Sequence, residues 1–383
     1  MASVWTTAPP PAGGEAVVST HLPSPLWGEG SGMRGPQVAS SRVGDTVLKN
    51  QLYRCVRIGL LVWAAISPLV VRADDQLKLA TLNCEFLVRR TVHVKFGLEL
   101  DRKEWTDEQR KTWEQPGYRD ARFREATKAV AEFIKRIDAD VIGLCEVGSE
   151  ADVADLYREL AALGLNYAHR AVCDSTDTFT GQHVAVLSKR KLDHVDKVIP
   201  GRERYDRELD NDVDGEDDTG ISKGMHVTFE AAGQPVHFYV AHLASERGGH
   251  ERDAQRIAQA SIIRRHYLPH LNAGAFVVVA GDLNDHPNEP AIRRIRGRDD
   301  IWPDLANTGA VKYFPKDKLD TRWTYEFLGV REQLDYILIS ESLESAARSQ
   351  GVRASTLPVT EKVVGTEIPA TDHRAFIVTL DLK

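Results

Sequence analysis

Eight polar residues stand at the margins of short apolar runs: Asn83, Glu146, His242, Asp282, Asn284, Asp335, Asp372 and His373. Carboxylate and amide oxygens with little sulfur among them suit a hard cation, Mg²⁺ or Mn²⁺. The imidazoles of His242 and His373 can move protons near neutral pH. A carboxylate such as Asp335 can orient a histidine and stabilise its charged form. No segment is expected to form a serine elbow, which leaves water as the expected nucleophile.

The runs that carry these residues read as strands. Leu77–Asn83, Ala139–Glu146, Val184–Leu187, Met225–Phe229, Val236–His242, Phe276–Asp282, Leu334–Ile339 and Ala375–Leu380 are short, apolar and mostly bounded by polar residues. Alternation along a strand puts Asn83 opposite Leu82 and Cys84, and Glu146 opposite Cys145. Asp282 and Asn284 share a face. Helices are expected over Tyr118–Ile137, Asp152–Leu163 and Glu251–Leu271. The charged stretch from His93 to Gln115, with two tryptophans, reads as a partly helical insertion. Strand–helix alternation mixed with consecutive strands predicts an α/β sandwich whose sheets are covered by helices. Polar groups at the ends of buried strands are costly unless paired or bound to something, and open sheets collect ligands at such ends.

The 383 residues are 42% hydrophobic and 27% charged, with a formal charge of -7. That is the composition of a globular protein. No linear basic stripe appears, which argues against a tight polyanion binder but not against an enzyme that touches its substrate transiently. Residues 1–50 are rich in Pro, Gly and Ser and read as a leader, disordered or belonging to a mis-assigned start near residue 47. Residues 51–73 have the layout of a signal peptide: Arg54 and Arg57, an apolar run from Ile58 to Val71, then Val71-Arg72-Ala73. Cleavage is expected after Ala73, giving a secreted or periplasmic chain of one domain over 74–383. The run is short for a membrane span, and an uncleaved anchor is the rival reading.

Four cysteines, Cys55, Cys84, Cys145 and Cys173, show no metal-binding spacing, so no structural zinc site is expected. Cys84 and Cys145 read as buried side chains, able to pair if their strands are neighbours; Cys173 reads as a free or surface thiol. The acidic run Glu208–Asp218 begins like a calcium loop at Asp210, Asp212, Asp214 and Gly215, but its twelfth position is Ile221 where a glutamate is needed. A solvated loop is expected, with a structural Ca²⁺ over 210–218 as the alternative.

Six segments, TLNCEF (81–86), VIGLCEV (141–147), AHLAS (241–245), GDLND (281–285), QLDYIL (333–338) and TDHRAF (371–376), together resemble the endonuclease/exonuclease/phosphatase superfamily. Each alone is weak; six in order are specific. The resemblance implies a DNase I-like four-layer sandwich of two packed mixed sheets flanked by helices. It implies Glu146 as principal metal ligand, with Asn83 and Asp372 completing the metal environment. His373 would be the catalytic histidine bonded to Asp335. Asp282 and Asn284 would position water and phosphate, and His242 would contact the phosphate or the leaving oxygen. Asp282 and His373 are both candidates to take the proton from water. The glutamate that nuclease members place near Val184–Leu187, to pair with the residue at position 242, is replaced by Gly181-Gln182-His183. Arg247 and Arg252, after the His242 strand, are candidate phosphate contacts. The implied function is metal-dependent hydrolysis of a phosphodiester, most simply as a nuclease. The alternatives are a phosphodiesterase or phosphatase on a lipid or small molecule, and a binding protein that has lost catalysis. No stable protein partner is implied.

Overall fold

The computed structural model describes residues 76–207, 216–297, 303–359, 366 and 368–383. The expected leader and signal segment lie outside the described residues. Among those described, no helix is long and apolar enough to cross a membrane.

Two six-stranded sheets form the body. The first runs, in spatial order, Ala347–Leu357, Ala375–Leu382, Gln76–Leu87, Val141–Val147, His183–Ser188, His169–Val172. The second runs Leu305–Asn307, Asp335–Ser340, Phe276–Asp282, Gln234–Ala241, Gly224–Ala231, His194–Asp196. Each is built alike: one central parallel pair, with antiparallel strands on both sides. Each parallel pair is connected through a long helix, Tyr118–Ile137 in one case and Gly249–Asn272 in the other. A parallel connection needs such a crossover.

Strand alternation divides the apolar residues among three cores. Leu77, Leu79, Val141, Phe238, Val240, Val278, Ala280, Ile337 and Phe376 fill the space between the sheets. Leu82, Ile142 and Leu144 face the Tyr118–Ile137 and Glu150–Ala162 helices. Tyr239, Val277, Val279 and Leu338 face the Gly249–Asn272 helix. The result is the expected four-layer sandwich. Phe276–Asp282 and Tyr118–Ile137 have the bounds read from the sequence.

Several strands had no sequence signal. Ala347–Leu357 is polar and largely exposed because it lies at a sheet edge. His169–Val172, His194–Asp196 and Leu305–Asn307 are too short for a period to show. The charged insertion buries its two tryptophans: Trp105 and Trp113 pack edge-on against each other and against His93. Cys84 and Cys145 do sit on neighbouring strands but face different cores and remain free thiols. Cys173 is also free, but buried rather than on the surface. Residues 208–215 of the acidic run lie outside the described residues. Of its remainder, Asp217 pairs with Arg207, and Asp218 with Arg202 at 2.6 Å.

Two neighbouring strands of the second sheet approach closely at the polar end. Gly281 has φ +131°, and a Cβ there would lie 2.0 Å from the Ala241 carbonyl oxygen of the neighbouring strand. Gly281→Ala should therefore destabilise the fold by about 3 kcal/mol, read as a fall in the urea midpoint at unchanged slope. An unshifted midpoint would contradict this packing.

Candidate active site

The residues that face the inter-sheet core continue past the last apolar side chain as polar ones. Along Gln76–Leu87 the row is Leu77, Leu79, Thr81, Asn83. Along Phe276–Asp282 it is Phe276, Val278, Ala280, Asp282. Along Gln234–Ala241 it is Val236, Phe238, Val240, and then His242 just beyond the strand. Asp335 precedes Ile337 and Ile339 on the same face of its strand. Parallel strands end where their antiparallel neighbours begin, so these groups and His373, which precedes Ala375–Leu382, meet at one mouth of the sandwich. The mouth opens into a cleft of about 390 Å³.

Glu146 reaches the mouth by a different route. Regular alternation would turn it toward the helix layer, but its φ of +57° and a register irregularity redirect it. Glu85, Phe86 and Asn284 also hold positive φ, so among the described residues four of the eight non-glycine residues of this kind lie at the mouth. Such backbone is maintained only where the surroundings over-determine it. The reason is visible in the bonds: the Phe86 amide donates to Glu146 Oε2 at 2.9 Å, and the Asn284 amide donates to Asp282 Oδ1 at 3.0 Å.

The Asn83 amide nitrogen donates to Asp282 Oδ2 at 2.9 Å and to Glu146 Oε1 at 3.2 Å, while its oxygen accepts from Glu85 N at 2.9 Å. Asn83 thus ties two carboxylates together, and its oxygen is already engaged. His373 Nδ1 donates to Asp335 Oδ2 at 2.7 Å; its ring stacks on Tyr325 with centroids 4.7 Å apart. Thr371 locks this pair to the first sheet: its hydroxyl donates to the Asn83 carbonyl at 2.7 Å and accepts from His373 N at 3.1 Å. Thr324 Oγ1 accepts from both Leu334 N and Asp335 N at 3.0 Å. Asn284 donates its side-chain amide to the Leu243 carbonyl at 3.1 Å, which fastens the His242 loop.

Electrostatics sort these groups. Burial raises the Glu146 carboxyl above its ordinary range, and Asp372 opposite it adds to the effect. Burial, then Asp335, pushes Asp282 up to about 7, with His373 opposing. Burial works against a charged His373, but Asp335 and Asp372 outweigh it and hold the imidazole well above its ordinary value. Burial, then Lys223, keeps His242 well below its own, so it is neutral. His242 Nε2 faces Glu146 Oε1 at 3.8 Å and Asp282 Oδ2 at 4.0 Å; its Nδ1 is buried without a hydrogen-bond partner. The carboxylate the resemblance led one to seek beside it is absent from 181–183 here too: Gln182 is buried and accepts from Lys223 Nζ at 3.2 Å. A buried carboxylate, a second acid opposite it and few cations nearby make an oxygen-rich donor set, the chemistry of a hard divalent cation.

Residues 80–373 match the endonuclease/exonuclease/phosphatase family. The chain belongs to that family. It is accordingly a divalent-metal-dependent hydrolase of phosphate esters. Truncated TDP2 from Caenorhabditis elegans shares the fold, at 16% identity over 80% of this chain and 97% of that one, with a TM-score of 0.50. Sphingomyelinase C from Streptomyces griseocarneus is also similar, at 19% identity over 80% and 99% of the two chains, TM-score 0.44. So is a Staphylococcus aureus beta toxin mutant with bound magnesium ions, at 14% over 79% and 99%, TM-score 0.45. No curated protein matches the chain.

The cleft gathers all eight candidate residues except Asp335, which stands directly behind His373. Arg247 lines it; Arg252 does not, since its guanidinium bonds Gln255 at 2.6 Å on its own helix. Lys223 and Tyr325 were not legible in the sequence, where nothing marks a lone Lys in a loop or a Tyr on a three-residue strand; Gln182 and Thr371 lie in the segments 181–183 and TDHRAF, which assign them no role. The run Gly220-Ile221-Ser222-Lys223-Gly224 does have serine-elbow spacing, but it leads into a strand rather than a helix and is no elbow.

Lys95 is a further support. Its ammonium is fully buried and donates to Glu85 Oε2 at 2.9 Å, the Ala370 carbonyl at 2.8 Å and the Cys84 carbonyl at 3.3 Å. It joins the Asn83 strand to the Asp372 loop. Lys95→Met should cost about 3 kcal/mol, because it leaves a half-buried carboxylate and two carbonyls without their donor. Calorimetric unfolding checks this; an unchanged melting temperature would remove Lys95 from the frame of the site.

Proposed function

We propose that the chain cleaves phosphodiester bonds in nucleic acid, with water as nucleophile. The observation that carries the reading is the convergence at one mouth of a bonded Asp335–His373 pair, Asp282 and Glu146. Glu146 and Asp372 would hold the divalent cation, Mg²⁺ or Mn²⁺, with Asn83 positioning Glu146 rather than supplying its own oxygen. Such an ion, when bound, supplies Lewis-acid stabilisation of phosphoryl charge. Asp282, poised near neutrality, is the better base toward water. His373 has its Nδ1 committed to Asp335, so its Nε2–H, on a ring that stays charged, is the donor toward phosphoryl or leaving oxygen. Neutral His242 offers a hydrogen bond to the phosphate, and Asn284 holds Asp282 in place. Lys223 and Arg247 give cationic walls for the flanking phosphates, and Tyr325 gives an aromatic face on which a base can stack. We also propose export of the chain, with cleavage after Ala73; the exported protein's N-terminal sequence should then begin at Asp74.

An amphiphilic phosphodiester is the second reading. It is favoured by a hairpin turn beside Arg247 whose Phe327, Leu328 and Val330 are 52%, 89% and 58% exposed.

Glu146→Gln, His373→Ala and Asp335→Asn should each lower kcat by about 10²–10⁴-fold. Chelation should abolish turnover and Mg²⁺ or Mn²⁺ restore it. Wild-type rates in Glu146→Gln or His373→Ala would overturn the role assignment. Plasmid DNA, RNA, sphingomyelin vesicles and a chromogenic phosphodiester separate the two substrate readings. Cleavage of nucleic acid that weakens steeply with salt supports the first; turnover of vesicles alone, lost on Leu328→Asp, supports the second.

A further inference from the structure

A second group of chemically capable side chains lies on the other face of the second sheet. His226 and His237 project from adjacent strands toward the Gly249–Asn272 helix, and His270 comes down from that helix's last turn. One ring nitrogen from each lies within 4.8 Å of the others. His226 Nε2 and His237 Nδ1 are 3.0 Å apart, and the His237 and His270 rings stack at 3.8 Å. Four-coordinate Zn²⁺ with imidazole bonds of about 2.1 Å holds its nitrogens roughly 3.4 Å apart. The group is close to that size without an ion.

The surroundings select the tautomer. His226 Nδ1 donates to Asp196 Oδ2 at 2.9 Å, which leaves its Nε2 lone pair directed into the group. A carboxylate behind a ligating imidazole is the usual support of a metal-bound histidine. Burial holds His226 and His237 down at about 4, so both rings are neutral at neutral pH. Without an ion the His226 Nε2 lone pair accepts from His237 Nδ1 at 3.0 Å, a proton that a bound metal would displace. His266 is turned away to Tyr239, whose hydroxyl lies 3.0 Å from its Nδ1. Among the described residues none hydrogen-bonds the His270 ring, although it sits between His226 and His237 and the helix.

We propose that His226, His237 and His270 form a second metal site, for Zn²⁺ or another ion that prefers imidazole nitrogen, with Asp196 orienting His226. Its chemistry is distinct from the oxygen-rich mouth, since imidazole donors select borderline transition ions over Mg²⁺. His237 stands on the opposite face of the strand that leads into His242, five residues before it, so the two centres are roughly 16 Å apart along it. The site would clip the end of the long helix to the sheet, and its partly exposed rim leaves a fourth position for water. The expected absence of a zinc site rested on ligands close in sequence; here they come from two strands and a helix.

The test is titration of the full, metal-stripped chain with ZnCl₂ under excess Mg²⁺, followed by calorimetry, by melting temperature and by the visible absorption of Co²⁺ in place of Zn²⁺. Expected are one tight equivalent, kept in Glu146→Gln, and a melting temperature raised by Zn²⁺. His270→Gln, at the half-buried position, should weaken binding at least tenfold and abolish the Zn²⁺-dependent rise. Asp196→Asn, which keeps all three imidazoles, should weaken it about 10–100-fold. No Zn²⁺ uptake by the wild type, uptake lost in Glu146→Gln, or undiminished uptake in both His270→Gln and Asp196→Asn would overturn the site and leave a metal-independent imidazole stack.

Discussion

The structure turns on the cost of gathering acids where an apolar core ends. Glu146, Asp282 and Asp335 are each buried or nearly so and lie within reach of one another, with Asp372 and Glu85 at the rim. Like charges in a poorly solvated site repel strongly. The chain meets this with directed partners rather than with cations in general: the amide of Asn83, the backbone N–H groups of Phe86 and Asn284, and the charged ring of His373. Lys95, buried behind Glu85, adds a fully desolvated ammonium. Two of these partners, the Phe86 and Asn284 N–H groups, stand on left-handed backbone, as does Glu146 itself. The left-handed residues at the mouth are therefore the consequence of holding carboxylates in place, and not an independent feature.

The same constraint explains why the site sits on the seam between sheets. Each sheet carries one parallel pair with its crossover helix on the outer face. The carboxyl ends of both pairs thus lie at one edge, beside the starts of the antiparallel strands that flank them. Residues of the inter-sheet row are those in which the two sheets face each other. Asn83 and Glu146 come from the first sheet, and His242, Asp282 and Asp335 from the second. Their hydrogen bonds cross the seam, so the site also couples the two halves. Thr371, bonded to the Asn83 carbonyl and to His373, is a clear instance of one hydroxyl serving both purposes.

Much of this was legible because alternation along a buried strand is strict. Asn83, Asp282 and Asp335 follow from counting residues back from Leu79, Val278 and Ile337, and the four-layer architecture follows from the mixture of crossovers and consecutive strands. Glu146 was found by its motif and not by its face, since its left-handed backbone breaks the count. The polar edge strand Ala347–Leu357 escaped notice because an edge exposed to water needs no apolar pattern. Lys223 and Thr371 sit in loops, and Tyr325 on a three-residue strand too short to show a period, so their positions are set by tertiary contacts that no local pattern reports. Arg252 shows the reverse: adjacency in sequence to Arg247 did not carry it into the cleft, because it lies on the helix while Arg247 precedes it.

The Gly249–Asn272 helix connects the mouth with the imidazole group. Near its start, Gln259 Oε1 accepts from Ala244 N at 2.9 Å, and Arg256 donates to the Ser245 carbonyl at 3.1 Å. These bonds fix the segment that follows His242 and carries Glu246 and Arg247 into the cleft. At its end the helix contributes His270 to the group on the sheet. An α-helix is stiff over this length, so whatever anchors one end restricts the lateral freedom of the other. Packing against Tyr239, Val277 and Val279 holds the middle, but apolar contacts resist sliding less than directional bonds do. The Gln259 and Arg256 bonds beside the mouth and the Tyr239–His266 bond further along fix the helix in register as well as in contact. The loop after His242 then inherits its position from the hydrogen bonds beside it, and a metal held by the proposed histidine group would add a second anchor on the same rod.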